Sequence, residues 1–192
     1  MKTPDKRDDI MQATLELIAE HGFHGTSMAM IGERADVGAG TIYRYFKSKE
    51  NLINAVNQEL TEKIIASLLQ AGTATGEPLR ERFLHLATGL SKYLIDHPIH
   101  FRFLEQYYNS PYGVNFRRER LLSKSNNDNI FRDFFEEGVK QKILKDLPLH
   151  LLFALAFGPI FAMMRDHILG FIVLNDTLLK KTVEACWDGV KR

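Results

Sequence analysis

Apolar positions recur at helical spacing along most of the chain, whereas strand-like alternation is scarce and no segment repeats at a fixed period. The pattern predicts an all-α fold, cut into segments by glycine, proline and short polar clusters. The expected helices are Pro4 or Asp5–His21, Ser27–Ala35, Ala39–Phe46, Ser48–Ala71, Leu79–Asp96, Pro98–Asn109, Asn126–Lys142, Leu149–Gly170 and Thr177–Lys191. We expect a loop over Gly72–Pro78, and Tyr112–Lys124 is ambiguous between a loop and a short extra helix.

Cap residues mark the ends of the first predicted helices. Thr26 is the expected N-cap of the second helix, and the Ser48 hydroxyl can cap the fourth. Gly22 and Gly25 are expected to end the first helix, because glycine adopts the backbone conformations that follow a helix. Phe23 lies between these glycines and is expected to pack back into the core.

Residues 31–46 have the features of a helix-turn-helix, in which two short helices are joined by a three-residue turn. Ile31 and Ile42 are apolar at positions where the two helices pack together. Gly32 lies on the inner side of the second helix, where only a very small side chain lets the helices cross closely. Asp36 opens the turn, and a left-handed backbone there suits Asp better than most residues.

The third predicted helix has two unlike faces. Ile42 and Phe46 point inward, four residues apart. The outward or sideways side chains, together with two lysines just beyond the helix, are Thr41, Tyr43, Arg44, Tyr45, Lys47 and Lys49. Tyrosine hydroxyls reach phosphates, and an arginine contacts either phosphate or guanine, which leaves both roles open for Arg44. Small residues at 39–41 let the helix end enter a groove, so the unit is predicted to bind DNA.

At this point the sequence resembles a known family. The run that carries the resemblance, from residue 26 to residue 52, is TSMAMIGERADVGAGTIYRYFKSKENL. It is similar to the DNA-binding signature of the TetR/AcrR family of transcriptional repressors. The resemblance implies a three-helix, helix-turn-helix DNA-binding domain over residues 1–50. It also implies a larger helical domain over residues 51–192 for ligand binding and dimerisation.

The resemblance also assigns roles to individual residues. It implies phosphate contacts for Thr26, Ser27, Tyr43, Tyr45 and Lys49, base-facing positions for Ala39, Gly40 and Thr41, and either kind of contact for Arg44. Three positions depart from the family pattern. Gly32 replaces the usual Ala and Asp36 the usual Gly, which preserves small size or turn tolerance. Gly38 replaces the usual Ser or Thr cap, at a cost of only about a few tenths of a kcal/mol.

Charge limits the kind of DNA-binding surface that is possible. The chain has 25 Lys and Arg against 24 Asp and Glu, so a uniformly basic coat is excluded and any positive surface must be local. Residues 1–50 contain seven Lys or Arg and eight Asp or Glu. Three of those cations cluster within residues 44–49, whereas most of the acids lie on the first helix. We therefore expect a small basic face and a modest salt dependence.

Other classes of protein find little support. Cys186 is the single cysteine, which excludes an intrachain disulfide and a cysteine-rich zinc site. The longest apolar run, Leu151–Met164, is shorter than the roughly 20 residues that span a bilayer, and the amino-terminal residues do not resemble a secretory signal. We therefore expect a cytoplasmic protein without a membrane span. No metal site, cofactor or catalytic constellation is predicted.

The remainder of the chain is rich in aromatic residues. For each ring, a place in the core is the simpler interpretation, but family members bind small-molecule inducers in this domain, and a pocket is mostly apolar with a few polar groups. The candidate ligand-binding residues are His100, Phe103, Tyr107, Phe131, Phe135, Phe157 and Arg165, with Glu105 as a further polar candidate. A cluster at Arg117, Arg118 and Arg120 is expected to be a solvated face rather than a nucleic-acid patch.

The last two helices are too apolar for a lone subunit of this size to bury. Pairing them with the same helices of a second copy would give a two-fold four-helix bundle, and the family dimerises in this way. The sequence thus predicts a homodimeric regulator, a repressor released from a palindromic operator by a largely apolar inducer. Two alternatives stay open: a helical ligand-binding protein without a DNA function, and an enzyme built on a helical body.

Overall fold

A computed structural model describes residues 6–70, 76–114 and 130–192, and within these ranges the chain is helical and has no β-strand. Its helices are α1 (Lys6–Gly25), α2 (Met28–Arg34), α3 (Ala39–Tyr45), α4 (Lys49–Gln70), α5 (Leu79–Asp96), α6 (Pro98–Tyr108), α7 (Ile130–Lys140), α8 (Leu149–Ile168) and α9 (Asp176–Val190). The predicted all-α class is confirmed, and the predicted boundaries that fall in the described ranges agree with these to within a few residues.

Several predictions lie outside the described residues. These are the start of the first helix at Pro4 or Asp5, most of the Gly72–Pro78 loop, the first residues of the helix predicted over Asn126–Lys142, and the cluster Arg117, Arg118 and Arg120. Of the ambiguous segment Tyr112–Lys124, the described part, 112–114, is helical.

The end of α1 is shaped by Gly22. This glycine has φ 70° and ψ 177°, which breaks the helix, and a further helical turn continues to Gly25. Phe23 is buried directly after the break, with its ring centroid 5.1 Å from that of Tyr112 and 6.4 Å from that of Phe103. The prediction that Phe23 packs back into the core is confirmed, but the helix extends past its predicted end because the chain resumes helical geometry after a single left-handed residue.

The described residues form two compact units. One is drawn from Met1–Lys63 and His97–Arg120, the other from Ile64–Asp96 and Leu121–Arg192. Helix α4 contributes its first part to one unit and its last turns to the other. The predicted functional division after residue 50 stays a prediction.

In the first unit, α1 packs against α6 and against the helix-turn-helix. Ile10 and Ile18 of α1 and Phe103 of α6 are fully buried there. A polar link joins α6 to α4, because the Tyr107 hydroxyl donates a hydrogen bond to Asn54 Oδ1 at 3.0 Å. Helix α6 therefore shares a core with the amino-terminal helices, although it lies more than 70 residues after α1 along the chain.

The second unit is built around an aromatic core contributed by α5, α7, α8 and α9. Its rings are Phe83, Phe131, Phe134, Phe135, Phe153, Phe157, Phe161 and Trp187. Phe157 is at the centre, with centroids of neighbouring rings 4.8 Å to 6.4 Å away. Arg82 pairs with Glu137 at 2.7 Å and lies over the Phe134 ring, which joins α5 to α7 at the edge of this core.

Candidate nucleic-acid interface

Helices α2 and α3 cross closely around Gly32. A Cβ atom added at Gly32 would lie 2.8 Å from the Val37 carbonyl oxygen, too close for any larger residue without a shift of the backbone. Ile31 and Ile42 are fully buried at the same crossing. Asp36 has φ 50°, so the predicted left-handed turn residue is confirmed. Close packing and a left-handed turn therefore fix α3 against α2.

Helix α3 presents its polar side chains outward. Ile42 and Phe46 are buried, whereas Tyr43 is 54% exposed and Tyr45 44% exposed. We call the outer surface the reading face: Ala39, Gly40, Thr41, Tyr43, Arg44, Tyr45 and Lys47, all exposed or partly exposed. The division into two faces predicted from the sequence is confirmed. Two cations, two phenols and a small helix tip are thus exposed on and just beyond α3.

The start of α3 is open. Gly38 occupies the N-cap position with φ −68° and ψ 148°, and no side chain caps the helix. Cβ atoms added at Gly38 or Gly40 would meet no heavy atom within 4 Å. The surface at the start of α3 is therefore uncrowded at both glycines.

The start of α2 corrects one expectation. Ser27, not Thr26, is the N-cap, and its hydroxyl accepts a hydrogen bond from the Met30 N–H at 3.2 Å. Thr26 is 1% exposed, and its hydroxyl donates to the Gly22 carbonyl at 2.8 Å. The Thr26 side chain is therefore directed back towards α1. A phosphate contact by the Thr26 hydroxyl does not fit this placement, whereas Ser27 is exposed.

Lys49 also differs from its neighbours. Its ammonium donates hydrogen bonds to the carbonyl oxygens of Phe23 and Thr26, at 2.6 Å and 2.5 Å. Partial burial lowers the pKa of this lysine. The side chain is thus directed at the junction of α1 and α2, whereas Lys47 is exposed.

Ion pairs balance the other charges of this unit. Arg34 pairs with Glu16 at 3.3 Å and with Glu20 at 3.1 Å. The hydrogen bond from Arg34 lowers the pKa of Glu20, and the same hydrogen bond raises the pKa of Arg34. Arg7 pairs with Glu59 at 3.5 Å. Of the three cations predicted to cluster at residues 44–49, Arg44 and Lys47 are exposed on and beside α3, whereas Lys49 is directed at the α1–α2 junction.

Comparison with known proteins agrees with this geometry. A family model described as bacterial regulatory proteins, tetR family, matches residues 10–56. A second, described as a tetracyclin repressor-like C-terminal domain, matches residues 78–191, which is more than half of the chain. The chain belongs to the TetR family. It is a DNA-binding transcriptional regulator and not an enzyme.

Individual relatives span nearly the whole chain. An uncharacterized HTH-type transcriptional regulator of Haemophilus influenzae is 25% identical over 98% of this chain and 97% of its own length. The fatty acid metabolism regulator protein of Bacillus subtilis is 26% identical, covering 91% of this chain and 92% of its own. A solved TetR-family regulator from Vibrio parahaemolyticus is 32% identical with a TM-score of 0.76, covering 98% of this chain and 99% of its own.

TetR-family regulators bind DNA operators and small-molecule ligands, and they are typically dimers. In this member, the predicted ligand residues are divided between the two units. His100, Phe103 and Tyr107, with the further candidate Glu105, lie in the first unit, and Phe131, Phe135, Phe157 and Arg165 lie in the second. Phe103 and Tyr107 are buried and packed in the core that α6 shares with α1. Phe131, Phe135 and Phe157 lie together in one aromatic cluster of the second unit, and Phe103 and Tyr107 stack on each other in the first. Arg165 is exposed on α8.

His100 instead borders a cleft between α1, α4 and α6. The cleft has a volume of about 250 Å³, and carboxylates of Asp8, Asp9 and Glu59 line it together with Lys63. Burial, aided by the nearby His97 and Lys63, lowers the pKa of His100 to about 4. The described residues contain no group of three or more His, Cys, Asp or Glu able to hold a metal ion.

Helix α8 is long and apolar enough to cross a membrane, judged by length and composition, yet only 28% of its most apolar stretch is buried in the described chain. Core helices of soluble proteins meet the same criterion, and TetR-family regulators are soluble DNA-binding proteins. Helix α8 therefore has a large apolar surface that is exposed in the described chain.

Proposed function

We propose that this protein is a homodimeric repressor that binds a palindromic operator through α3 and is released by a largely apolar ligand. The observation that carries the proposal is the reading face, which holds exposed phenols and cations on a helix fixed by buried residues. Each subunit would place α3 in the major groove of one half-site, and the two-fold symmetry of a dimer matches a palindrome.

The contacts follow from the chemistry of each position. Small residues at 39–41 would allow the tip of α3 to approach base edges, and the exposed hydroxyls of Tyr43, Tyr45 and Ser27 would bind phosphates. Arg44 is exposed and can bind either a phosphate or a guanine. Because few cations are exposed here, each subunit would neutralise few phosphates and the salt dependence would be modest.

The proposed dimer pairs α8 and α9 with the same helices of a second copy. Apolar or small residues are exposed or partly exposed along α8 and just after it: Leu151, Phe153, Ala154, Leu155, Gly158, Ala162, Leu169, Phe171 and Val173. Exposed contiguous apolar surface of this kind marks an interaction site. Close approach of two copies is helped by the small side chains at 154, 158 and 162, four residues apart on one side of the helix.

The proposed ligand is assigned to the second unit because the predicted ligand residues Phe131, Phe135 and Phe157 lie together there in apolar surroundings. A relative named as a fatty acid metabolism regulator fits a ligand of that character. The ligand would release DNA by preferring a conformation with wrongly spaced reading faces. Helix α4 runs from the first unit into the second. A cytoplasmic location follows from this function.

The DNA contacts are tested by titrating labelled DNA from the region upstream of the gene and following anisotropy. Arg44→Ala should weaken specific binding by about 1–3 kcal/mol if the guanidinium reads a base. Tyr43→Phe removes one hydroxyl and should weaken binding less. Arg102→Ala, an exposed arginine on α6, is the matched control and should bind like the wild type. Wild-type affinity in both α3 variants would contradict the proposed reading face.

The ligand is tested by adding fatty acids of increasing chain length to the preformed complex. Release of DNA that increases with chain length supports an apolar ligand, whereas no release at any length contradicts this part of the proposal.

Sedimentation of the wild type tests the dimer, and Ala154→Glu should dissociate it because a charge would be buried at the proposed contact.

A further inference from the structure

Lys49 has an unusual position at the start of α4. The helix begins there, capped by Ser48, whose hydroxyl accepts a hydrogen bond from the Asn51 N–H at 3.1 Å. From this point the Lys49 side chain reaches back more than 20 residues along the chain. Its Nζ donates to the Phe23 carbonyl at 2.6 Å and to the Thr26 carbonyl at 2.5 Å. These two carbonyls flank Gly25, where α1 ends and α2 is about to begin.

The Phe23 carbonyl lies in the last turn of α1, whose carbonyls have no intrahelical N–H partner, and a cation there also interacts favourably with the helix dipole. The Thr26 carbonyl lies in the link between α1 and α2. Hydrogen bonds from an ammonium are stronger than those between neutral groups. Lys49 therefore joins the first turn of α4 to the segment from which α2 and α3 follow.

We infer that Lys49 is a positioning residue for DNA binding: its ammonium ties α4 to the α1–α2 junction and so holds the reading face in place, rather than neutralising a phosphate. The inference rests on the proposed function, in which α3 binds DNA. It replaces the phosphate contact that the sequence resemblance implies for this residue.

The chain itself offers a comparison. Lys47 is exposed, whereas Lys49, two residues later, is partly buried. The Lys49 ammonium has three N–H donors, and two of them donate hydrogen bonds to carbonyls. To neutralise a phosphate, Lys49 would have to give up those hydrogen bonds and leave two carbonyls without their partner. Lys47 would lose no such contact in the described structure. The two lysines should therefore differ in how their removal changes the salt dependence of binding.

The experiment compares Lys49→Met with Lys47→Met in the full-length protein. Operator affinity is measured at several salt concentrations, at a temperature where circular dichroism shows each variant to be fully folded. Lys49→Met should bind about tenfold to a hundredfold more weakly, the equivalent of a lost hydrogen bond to a charged group, with an unchanged slope of log K against log salt. Lys47→Met should lower that slope by about 0.9 for each phosphate contact that it removes.

Two results would overturn the inference. A slope reduced in Lys49→Met as much as in Lys47→Met would show a phosphate contact. A lowered melting temperature with unchanged affinity and slope in the folded variant would show that Lys49 stabilises the fold without positioning the reading face.

Hydrogen exchange tests the tie independently of DNA. Amides of residues 27–34 should exchange faster in Lys49→Met than in the wild type and at the wild-type rate in Lys47→Met. An unchanged amide exchange rate in Lys49→Met would contradict the inference that Lys49 holds α4 to the α1–α2 junction. If the wild type binds no DNA, the proposed function fails, and this exchange comparison still decides whether the tie exists.

Discussion

The helix-turn-helix and the aromatic core use their side chains in opposite ways. In the helix-turn-helix, a few buried residues such as Ile31 and Ile42 hold a helix whose exposed side chains we propose contact DNA. In the aromatic core, rings from four helices bury one another around Phe157. Contacts in the first region join residues close in sequence, whereas those in the second join residues far apart. Removal of an aromatic ring should therefore affect binding in one region and stability in the other.

The largest expected effect is that of Phe157→Ala. Phe157 is 2% exposed and contacts five other rings, so truncation should lower the free energy of unfolding by about 3–5 kcal/mol. Tyr43→Ala also removes a ring, but from an exposed position, and should change stability by less than about 0.5 kcal/mol while weakening DNA binding. Urea denaturation measures the first effect and anisotropy the second. Similar unfolding free energies for the two variants would contradict the difference between a stabilising core ring and an exposed ring of the reading face.

Gly32→Ala tests the tight crossing that fixes the helix-turn-helix. The added methyl group would lie 2.8 Å from the Val37 carbonyl oxygen, so overpacking should destabilise the protein by about 1–3 kcal/mol and weaken operator binding. Gly40→Ala is the control: its methyl group meets no heavy atom within 4 Å and should not destabilise α3. Wild-type stability in Gly32→Ala would contradict the close crossing.

The same contrast explains what could be predicted from the sequence. The two faces of α3, the small residue at 32 and the left-handed Asp36 depend on contacts among about 16 neighbouring residues, so helical periodicity and turn chemistry were sufficient. Prediction was wrong for the cap at Thr26, because its hydroxyl donates to the Gly22 carbonyl and the Ser27 hydroxyl caps α2 instead. No local sequence pattern indicates that Ser27 rather than Thr26 caps α2.

The ligand residues illustrate the harder case. Helical spacing correctly put Phe103 and Tyr107 on one face of α6, but periodicity does not say which helix that face meets. In the structure it meets α1 and α4, and Asn54, which receives the Tyr107 hydrogen bond, carried no signal in the sequence. The contacts of Lys49 with Phe23 and Thr26 could likewise not be predicted, because these residues lie more than 20 positions away in the sequence. The missed features are those in which a side chain finds a partner tens of residues away.

A smaller effect is expected from pH. The pKa of His100 is about 4 in the folded protein, against 6.5 for an ordinary histidine, so the unfolded chain binds a proton first as the pH falls. Stability should therefore decrease between about pH 7 and 4, and His100→Gln should lack this contribution. For a half-buried ring we expect about 1 kcal/mol after solvent screening. Urea denaturation at pH 7, 5.5 and 4.5 checks it; parallel curves for the two proteins would contradict the buried, neutral imidazole.

The smallest expected effect again concerns a glycine of the helix-turn-helix, six residues after Gly32. Gly38→Ser should stabilise the protein by about a few tenths of a kcal/mol, since a hydroxyl at the vacant N-cap can accept from the first free N–H groups of α3 and its Cβ meets no heavy atom within 4 Å. A rise in melting temperature of about 1 °C is the corresponding measurement. Because Gly32→Ala should act in the opposite direction, the pair separates a glycine required by packing from one that leaves a helix end open. A loss of stability in Gly38→Ser would mean that a side chain at the start of α3 meets other atoms. That result would contradict the open helix tip on which the proposed reading face depends.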